Sequence, residues 1–590
     1  MGEKLEFDSL VWRIIINFNI ILYLDIILGH MNFYEIFAYD FIKENALSLI
    51  IYVFVIFFCF PVESIVLPRI YGVLFDKIKA YTNEDFFDFY NNFKSMNLSG
   101  ALLSIFATWS IIIVAYGIKH HMESTLVPGF MNHVRKILYE KTINAFKENY
   151  TDMKTGVYLS RMLELMRNAK DLFANSIGHI IPTFFSMFAS ILYIAYSDYT
   201  LGKVLILGLI IGMTILYFGG KYLIKLVSER ENFMNETVNQ GIQDSLDNLM
   251  NIYINNESES DIKDNHKDED KGKELMVYIM KIQNWIITSF NAISTITYFI
   301  ALFILYTYLT GKKVSSAKMI AYILILGNIL SDLFDLSTGY IHQIVYKLGI
   351  IDSAEPFLKE INVDNSKRVK KDVITKGDIE FKDIVFRYDK ESDEVLYDGL
   401  NLKIQGGKSI GLMGRSGSGK STLMKMLVGL YKPEEGQVLV DGVDINSIDI
   451  DNLREHINYV NQKTQLFEES ILYNMKYGND ITEEEIIEKL KKYKLDIVFS
   501  DIPDGVHANA GLHGGNLSGG MQKITMLMRG ILKKGEIIIL DEPIAGLDKN
   551  TISNAMEMIL KETDKKTLIV ITHDKAILPY MDKVIDINQL

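Results

Sequence analysis

Cysteine is almost missing from this chain of 590 residues, because Cys59 is the only one. A single cysteine excludes an intrachain disulfide and any zinc or iron–sulfur site built on cysteine ligands. Basic residues are outnumbered as well: 61 Lys and Arg face 74 Asp and Glu, and the formal net charge is −13. Because no Lys/Arg cluster dominates, we expect no nucleic acid as the main partner. The first residues, MGEKLEF, lack the basic start of a cleavable targeting segment.

Charged side chains are missing from long stretches of the first half. Five runs contain no Asp, Glu, Lys or Arg, namely residues 46–62, 95–118, 172–197, 204–220 and 282–311. A helix needs about 20 apolar residues to cross the core of a lipid bilayer. A sixth run at 319–331 is short, but apolar residues continue after it at helical spacing. The sequence therefore predicts an all-α transmembrane domain at 46–358, with spans at about 46–75, 95–118, 172–197, 201–220, 282–311 and 317–336.

The segments around these spans differ in character. Residues 1–45 contain an apolar stretch at 10–28 that one arginine and one aspartate interrupt, which favours an interfacial helix over an extra span. Two connections, 119–170 and 221–281, are long. We expect helices that continue from the spans to carry these connections out of the membrane.

The last third of the chain has no run of spanning length. Residues 359–376 are charged and loop-like, and we interpret them as a linker. Short β-like and helical stretches alternate through 377–590, which is typical of an α/β domain with parallel strands. The sequence therefore predicts one membrane domain followed by one soluble domain.

The first candidate functional motif of the soluble domain is rich in glycine. Residues 414–421, GRSGSGKS, fit G-x-x-x-x-G-K-[ST], follow a strand-like stretch and precede a helix-like one. Glycines let backbone N–H groups converge on phosphate oxygens, Lys420 neutralises the β- and γ-phosphates, and the Ser421 hydroxyl ligates Mg²⁺. The predicted phosphate-binding residues are Gly414, Arg415, Ser416, Gly417, Ser418, Gly419, Lys420, Ser421 and Thr422.

A pair of carboxylates follows further along. The apolar run IIIL at 537–540 ends in Asp541 and Glu542. Buried parallel strands present their last side chains at the carboxyl edge of the sheet, where ligands bind. We expect Asp541 to hold Mg²⁺ and Glu542 to take the proton of an attacking water. The site is therefore predicted to bind and hydrolyse ATP with Mg²⁺.

The run LSGG at 517–520, shortly before that strand, makes the chain resemble the ATP-binding-cassette (ABC) transporters. The resemblance implies an α/β P-loop ATPase domain of ABC type, with Ser518, Gly519 and Gly520 contacting the nucleotide bound to another copy. Further residues match family positions: Tyr388 resembles the aromatic that stacks on adenine, and Gln462 the glutamine that reaches the metal. Asp548, in AGLD, resembles the interface-loop aspartate, and His573, in VITHD, the histidine that contacts the γ-phosphate.

The membrane half resembles the six-span exporters of this family. Pro68, Gly72 and Asp76 have the spacing found at the end of the first span, and residues 244–255 resemble the second cytoplasmic loop. By the same likeness, Tyr150 and its neighbours lie near a coupling helix. Some positions depart from the family pattern: Met521 replaces a glutamine, Leu512 and His513 an acidic and basic pair, and Ala545 a serine. These departures concern coupling and hydrolysis rate rather than nucleotide binding.

The resemblance implies a half-transporter that must dimerise, with itself or with a different half, to complete two ATP sites. It implies export by alternating access, in an integral multi-pass membrane protein whose ATPase domain is cytosolic. An ATP-gated or low-activity regulatory protein of the same architecture is the alternative. The cargo is unknown. Glu63, Arg69, Asp332 and Asp335 lie at the edges of spans, and we interpret them as snorkelling or helix-end pairing rather than as a cargo site.

Overall fold

The computed structural model describes residues 37–79, 98–147, 155–311, 315–362, 374–388, 394–462, 465–574 and 577–589. The chain divides into two compact units: Met1–Thr142 with Met153–Ile361, and Ile143–Asp152 with Asn362–Leu590. The expected interfacial helix at 10–28 and most of the expected linker at 359–376 lie outside the described residues. The predicted limits of the segments and domains stay predictions.

The described part of the first unit is all-helical. In the described part of the chain, six helices are long and apolar enough to cross a membrane: Ala46–Ile78, Gly100–Ala145, Tyr158–Ser197, Tyr199–Asp247, Ser258–Thr310 and Ser316–Ser353. The prediction of six spans is confirmed. The α-helices are α1 (Tyr39–Glu44), α2 (Ala46–Pro61), α3 (Leu67–Lys79), α4 (Leu98–Ala145), α5 (Thr155–Asn175), α6 (Ile181–Ser197), α7 (Tyr199–Phe233), α8 (Gln240–Asp247), α9 (Leu249–Asn255), α10 (Ser258–Thr310), α11 (Ser316–Gly339), α12 (Tyr346–Ser353) and α13 (Glu355–Ile361).

Two of the long helices extend beyond their apolar stretches. Helix α4 continues to Ala145 although its uncharged run ends at residue 118, and α10 begins at Ser258 although its run begins at residue 282. The expectation that helices carry the long connections is therefore confirmed for these two. Between 22% and 44% of each apolar window is buried within the chain. More than half of the residues in each window are thus at least partly exposed on this single chain.

Small residues let neighbouring spans approach closely. A Cβ atom on Gly72 of α3 would lie 2.3 Å from the carbonyl oxygen of Ala317 of α11, and one on Gly212 of α7 would lie 2.8 Å from the ring of Phe290 of α10. Backbones at such distances gain dispersion contacts that lipid tails do not replace. The bundle therefore depends on glycine at these crossings.

Polar side chains at the span edges contact their neighbours. The Tyr116 hydroxyl donates to Glu63 at 2.7 Å, and the Ser186 hydroxyl donates to Asp332 at 3.0 Å. The guanidinium of Arg69 lies over a tyrosine ring, 5.7 Å from its centroid. Glu63 and Asp332 border the uncharged runs but lie inside the continuous helices Ala46–Ile78 and Ser316–Ser353. Pairing at helix ends is therefore wrong for these two residues, whose partners lie along the helices.

The second unit contains two sheets. Strands β2-β1-β4-β5 form an antiparallel sheet, and β6-β7-β8-β3-β9 form a parallel one. The parallel sheet confirms the sequence prediction, whereas the antiparallel sheet was not predicted. The strands are β1 (Ile379–Phe386), β2 (Tyr397–Ile404), β3 (Ser409–Met413), β4 (Glu435–Val440), β5 (Val443–Asp444), β6 (Ile457–Val460), β7 (Ile537–Asp541), β8 (Thr567–Ile571) and β9 (Lys583–Asp586). The helices are α14 (Lys420–Leu427), α15 (Ile450–His456), α16 (Ile471–Lys476), α17 (Glu483–Lys492), α18 (Gly519–Leu532) and α19 (Lys549–Glu562).

The parallel sheet is buried on both faces. Alternate residues of β7 enter two different clusters: Ile537 and Ile539 join one, and Ile538 and Leu540 the other. Every residue of β7 and β8 is buried. A strand covered on both sides reads as a continuous apolar run, which explains why IIIL at 537–540 predicted it. The carboxyl ends of these strands meet at one edge.

The end of α4 belongs to this second unit. The Lys147 ammonium lies 2.9 Å from the Asp451 carboxylate, and the Arg454 guanidinium donates to the Lys147 carbonyl. Asp451 and Arg454 both lie on α15. The predicted coupling residue Tyr150 lies outside the described residues.

Candidate nucleotide site

The glycine-rich motif forms a loop between β3 and α14. Gly414, Gly417 and Gly419 have φ angles of 156°, 81° and 87°, of which the last two lie well inside the region that L side chains avoid. A Cβ atom on Gly419 would lie 2.3 Å from the Tyr397 hydroxyl oxygen. Both the backbone angle and the close approach therefore require glycine at position 419.

Lys420 begins α14, and its side chain turns back over the loop. Its ammonium donates to the carbonyls of Gly414 at 3.1 Å and Arg415 at 2.8 Å. Burial lowers the pKa of Lys420, while the carboxylates of Asp541, Glu542 and Asp586 act in the opposite direction. The lysine is thus a buried cation facing a loop whose N–H groups also attract anions.

Asp541 ends β7 and is 4% exposed. The Ser421 hydroxyl donates to its carboxylate, and so does the Tyr459 hydroxyl at 3.2 Å. Burial raises the pKa of Asp541, although these two hydrogen bonds oppose the rise. Burial and the nearby Asp541 carboxylate raise the pKa of Tyr459, so its phenol remains a donor.

Glu542, Gln462 and His573 come together beyond the ends of three adjacent strands. The Gln462 amide donates to one Glu542 oxygen at 2.5 Å, and His573 Nε2 lies 3.9 Å from the other. The strand order β6-β7-β8 explains this meeting, because each residue follows the carboxyl end of its strand. Glu542 has a φ of 51°, an unusual angle for a non-glycine residue.

Ser518 is the N-cap of α18, and its side-chain oxygen accepts from the Met521 N–H at 3.3 Å. A Cβ atom on Gly519 would meet nothing within 4 Å, so this helix start is open. Among the described residues, Ser518 forms no hydrogen bond with the glycine-rich loop of its own chain. Asp548 is likewise an N-cap, because it accepts from Asn550 N at 2.9 Å and Thr551 N at 3.1 Å and so begins α19.

Tyr388 lies at one wall of an open cavity of about 760 Å³. Gly417 and Ser418 of the glycine-rich loop line the same cavity. The Tyr388 ring is 67% exposed, and its hydroxyl contacts the Thr422 hydroxyl. An exposed aromatic face beside a phosphate-binding loop offers a stacking surface for a flat base. The volume lies within the range of small-molecule sites.

Two residues of the site were missed from sequence. Tyr459 pairs with Ile539 across β6 and β7, which brings its hydroxyl to Asp541. Lys523 of α18 donates to the Ala545 carbonyl near Glu542. The register of β6 against β7 was the missing information for Tyr459, and for Lys523 it was the packing of α18.

The donor set around Asp541 suits Mg²⁺. Ser421 already bonds to Asp541, so a hydroxyl and a carboxylate oxygen lie close together, and the Gln462 side chain reaches the next residue through its amide nitrogen. Mg²⁺ prefers oxygen ligands, and it commonly uses one or two carboxylates with substrate phosphates. In the described ranges no group of three His, Cys, Asp or Glu side chains forms a metal cluster. A site completed by phosphates does not require one.

Fold and site together define an integral multi-pass membrane protein fused to a P-loop nucleotide-binding domain. Two family models match the chain, the ABC transporter transmembrane region at residues 49–334 and the ABC transporter at residues 397–545. The chain belongs to the ABC transporter family, and it has the half-transporter form of one six-helix domain with one ATP-binding domain.

Curated relatives match most of the chain. An export ATP-binding/permease protein of Rickettsia prowazekii (strain Madrid E) is 25% identical over 513 residues, which cover 85% of this chain and 86% of that protein. A multidrug export ATP-binding/permease protein, YgaD of Bacillus subtilis (strain 168), is 26% identical over 496 residues, covering 81% and 80%. A solved bacterial Atm1-family ABC exporter with ATP bound has the same fold, with a TM-score of 0.78, 19% identity and 92% and 93% coverage.

Proposed function

We propose that the chain is one half of an ATP-driven exporter, in which two halves complete two ATP sites. The hydrogen bond from Gln462 to Glu542, at the sheet edge that also carries the glycine-rich loop, is the observation that carries this proposal. A carboxylate held there by an amide is suited to activate a water beside bound phosphates. The halves are two copies of this chain or one copy with a different half-transporter.

The chain's residues divide the work of hydrolysis. Lys420 and the N–H groups of the loop bind the β- and γ-phosphates, and Tyr388 stacks on the base. Glu542 accepts the proton of the attacking water, and Gln462 orients the Glu542 carboxylate. His573 contacts the γ-phosphate. Ser421, Asp541 and Gln462 would hold Mg²⁺, which would neutralise charge at the phosphates.

The signature residues favour a dimer. Ser518 caps its own helix and leaves Gly519 and Gly520 at an open helix start. A helix N-terminus carries a partial positive charge and free N–H groups, which attract phosphate. Because Ser518 does not bond to its own loop among the described residues, we infer that it serves the γ-phosphate held by a partner. Asp548, on the interface loop, then lies near the same junction.

ATP binding and hydrolysis drive transport in this proposal. ATP that binds the closed pair better than the open pair shifts the population to the closed pair, and hydrolysis resets it. The spans then alternate between inward- and outward-facing states. Because the ATPase uses cytosolic ATP, the second unit is placed in the cytosol. Export as the direction is supported by the names of the relatives, which describe export proteins.

The test is ATP hydrolysis by the full chain reconstituted in lipid vesicles. We expect Glu542→Gln to lower kcat by about 100-fold or more, because removing a general base costs that much. Nucleotide affinity should stay near the native value, because Glu542 acts on the water. Compounds that raise the native rate would identify the cargo.

Glu557→Gln is the matched control. Glu557 is exposed on α19, where it pairs with Lys561 at 2.6 Å, so its loss should leave kcat unchanged. A native rate no faster than that of Glu542→Gln would overturn ATP-driven export and would favour an ATP-gated or regulatory protein.

A further inference from the structure

Lys523 is a half-buried lysine without a carboxylate partner. It lies on α18, the helix that the signature begins, and among the described residues it forms no ion pair. Its ammonium donates to the Ala545 carbonyl and lies 3.5 Å from the Glu542 carbonyl. Burial lowers the pKa of Lys523, with the Glu542 carboxylate acting against it. A partly desolvated cation that is satisfied by two carbonyls fixes the chain that carries them.

The two carbonyls mark the ends of the segment 542–545, whose first residue is the proposed general base Glu542. Glu542 holds a φ of 51°, an angle that bulky residues keep only where neighbouring contacts impose it. Its N–H donates to the Ile571 carbonyl at 2.9 Å, and its carbonyl faces Lys523. The Glu542 backbone is therefore fixed from β8 on one side and from α18 on the other.

The same lysine reaches the interface loop. Ala545 begins the run that ends at Asp548, where the N-cap bonds fix the far end. Position 545 has no side-chain hydroxyl in this chain, so its carbonyl is the polar group available for anchoring. Leu547 lies beside Gly520, 3.4 Å from a Cβ atom built there. The signature, the interface loop and Glu542 thus share one anchor.

We propose that Lys523 is a positioning residue for ATP hydrolysis, which fixes the backbone from Glu542 to Ala545 and ties the general base to the signature helix. This inference rests on the proposed function. Lys523 acts through Glu542 and does not contact the nucleotide. The signature of this chain therefore affects the base of its own site as well as the γ-phosphate of its partner's site.

A double-mutant cycle on the full chain in vesicles tests the proposal. We expect Lys523→Met to lower kcat about ten-fold while KM for ATP stays within about two-fold, because misplacing a catalytic group affects the chemical step. In the Glu542→Gln background, residual single-turnover hydrolysis should fall by less than about two-fold on adding Lys523→Met. Lys523→Arg, which keeps the donors, should restore at least half of the native kcat.

Lys533→Met is the matched control. Lys533 is a half-buried lysine just after α18 that donates to the Arg454 carbonyl at 2.7 Å, away from Glu542. Its loss should lower the thermal unfolding temperature and keep kcat. Equal factors for Lys523→Met in both backgrounds, or a native kcat in Lys523→Met, would overturn the proposal. If Lys523→Met does not fold, Lys523→Gln enters the same cycle with the same criteria. A native chain without hydrolysis would instead overturn the proposed function.

Discussion

At the residue scale, burial and hydrogen bonding have opposite effects on the charge of the Asp541 carboxylate. The side chain is 4% exposed, which favours its neutral form, yet hydroxyls of Ser421 and Tyr459 donate to it and favour the charged form. A carboxyl group that serves as a ligand for Mg²⁺ must be ionised and correctly oriented. Tyr459 lies outside the motifs that predict the site, and its hydroxyl helps to keep the Asp541 carboxylate charged and oriented.

Tyr459→Phe tests that role. The change removes one hydroxyl and keeps the ring, so packing should be retained. We expect the Mg²⁺ concentration for half-maximal hydrolysis to rise about three- to ten-fold, at the low end of the effect of groups that orient metal ligands. The measurement is a Mg²⁺ titration of the ATPase rate, together with Mn²⁺ binding followed by electron paramagnetic resonance.

Tyr580→Phe is the control for this change, because Tyr580 is exposed on a surface turn. An unchanged Mg²⁺ and Mn²⁺ dependence in Tyr459→Phe would show that Ser421 alone orients Asp541.

The motif residues could be predicted from sequence because each belongs to a short local pattern. The glycine-rich loop is contiguous, and the strand-like stretch that precedes it in the sequence is β3. Tyr459 and Lys523 could not be predicted, because their partners are distant along the chain: Asp541 for one and Ala545 for the other. Such contacts depend on strand register and helix packing rather than on local pattern.

At the element scale, the turn between β4 and β5 anchors the start of β1. The Asp441 carboxylate accepts four backbone N–H groups, those of residues 375, 376, 377 and 378, at 2.6 to 3.3 Å. Burial acts to raise the pKa of Asp441, but these four donors outweigh it and hold the pKa below its ordinary value. The Asp441 carboxylate therefore holds the segment before β1 against the end of β4.

Asp441→Asn should destabilise the nucleotide-binding domain by about 1 kcal/mol at neutral pH, a value reduced because water screens the half-buried carboxylate. Because the folded-state pKa is depressed, the contribution is present above the unfolded pKa of about 3.9 and is lost as pH falls through the folded pKa. The measurement is thermal unfolding of the full chain at pH 7 and toward pH 3.

Asp480→Asn serves as the control, since Asp480 is exposed and lies 3.7 Å from an exposed lysine. The unfolding temperature of Asp480→Asn should match that of the native chain. A difference between Asp441→Asn and the native chain that does not shrink between pH 7 and pH 3 would contradict the role of the charge.

Elements were predictable to different degrees. Apolar runs predicted six spans and the strand β7, because each run is long or strongly biased. The π-helical turns at Val62–Val66, Ser176–Ile180, Met234–Asn239 and Tyr340–Val345 were not predicted. One extra residue per turn does not change apolar composition, so the sequence pattern does not reveal it. The antiparallel sheet was missed because β1 pairs with β4, far along the chain.

At the scale of the whole molecule, each of the two units exposes a surface that is suited to contact a partner. The membrane unit exposes apolar side chains on α9, in the middle of the connection 221–281: Leu249, Met250, Tyr253 and Ile254. The nucleotide-binding unit exposes the open start of α18. Exposed apolar and phosphate-attracting surfaces of this kind are typical of contact sites. Both features favour a chain that functions with a partner.

The central claim is that two halves close on ATP, with the signature of one facing the glycine-rich loop of the other, and two copies of this chain are the first pair to test. Because Cys59 is the only cysteine, Cys59→Ser gives a clean background for cross-linking. Differently tagged chains carry Arg415→Cys or Ser518→Cys, both with Glu542→Gln to retain ATP. A short bifunctional maleimide should join the two tags, and Mg²⁺ with ATP should raise the yield several-fold. Absence of any product joining the two tags, with ATP bound, would contradict closure of two copies of this chain on ATP.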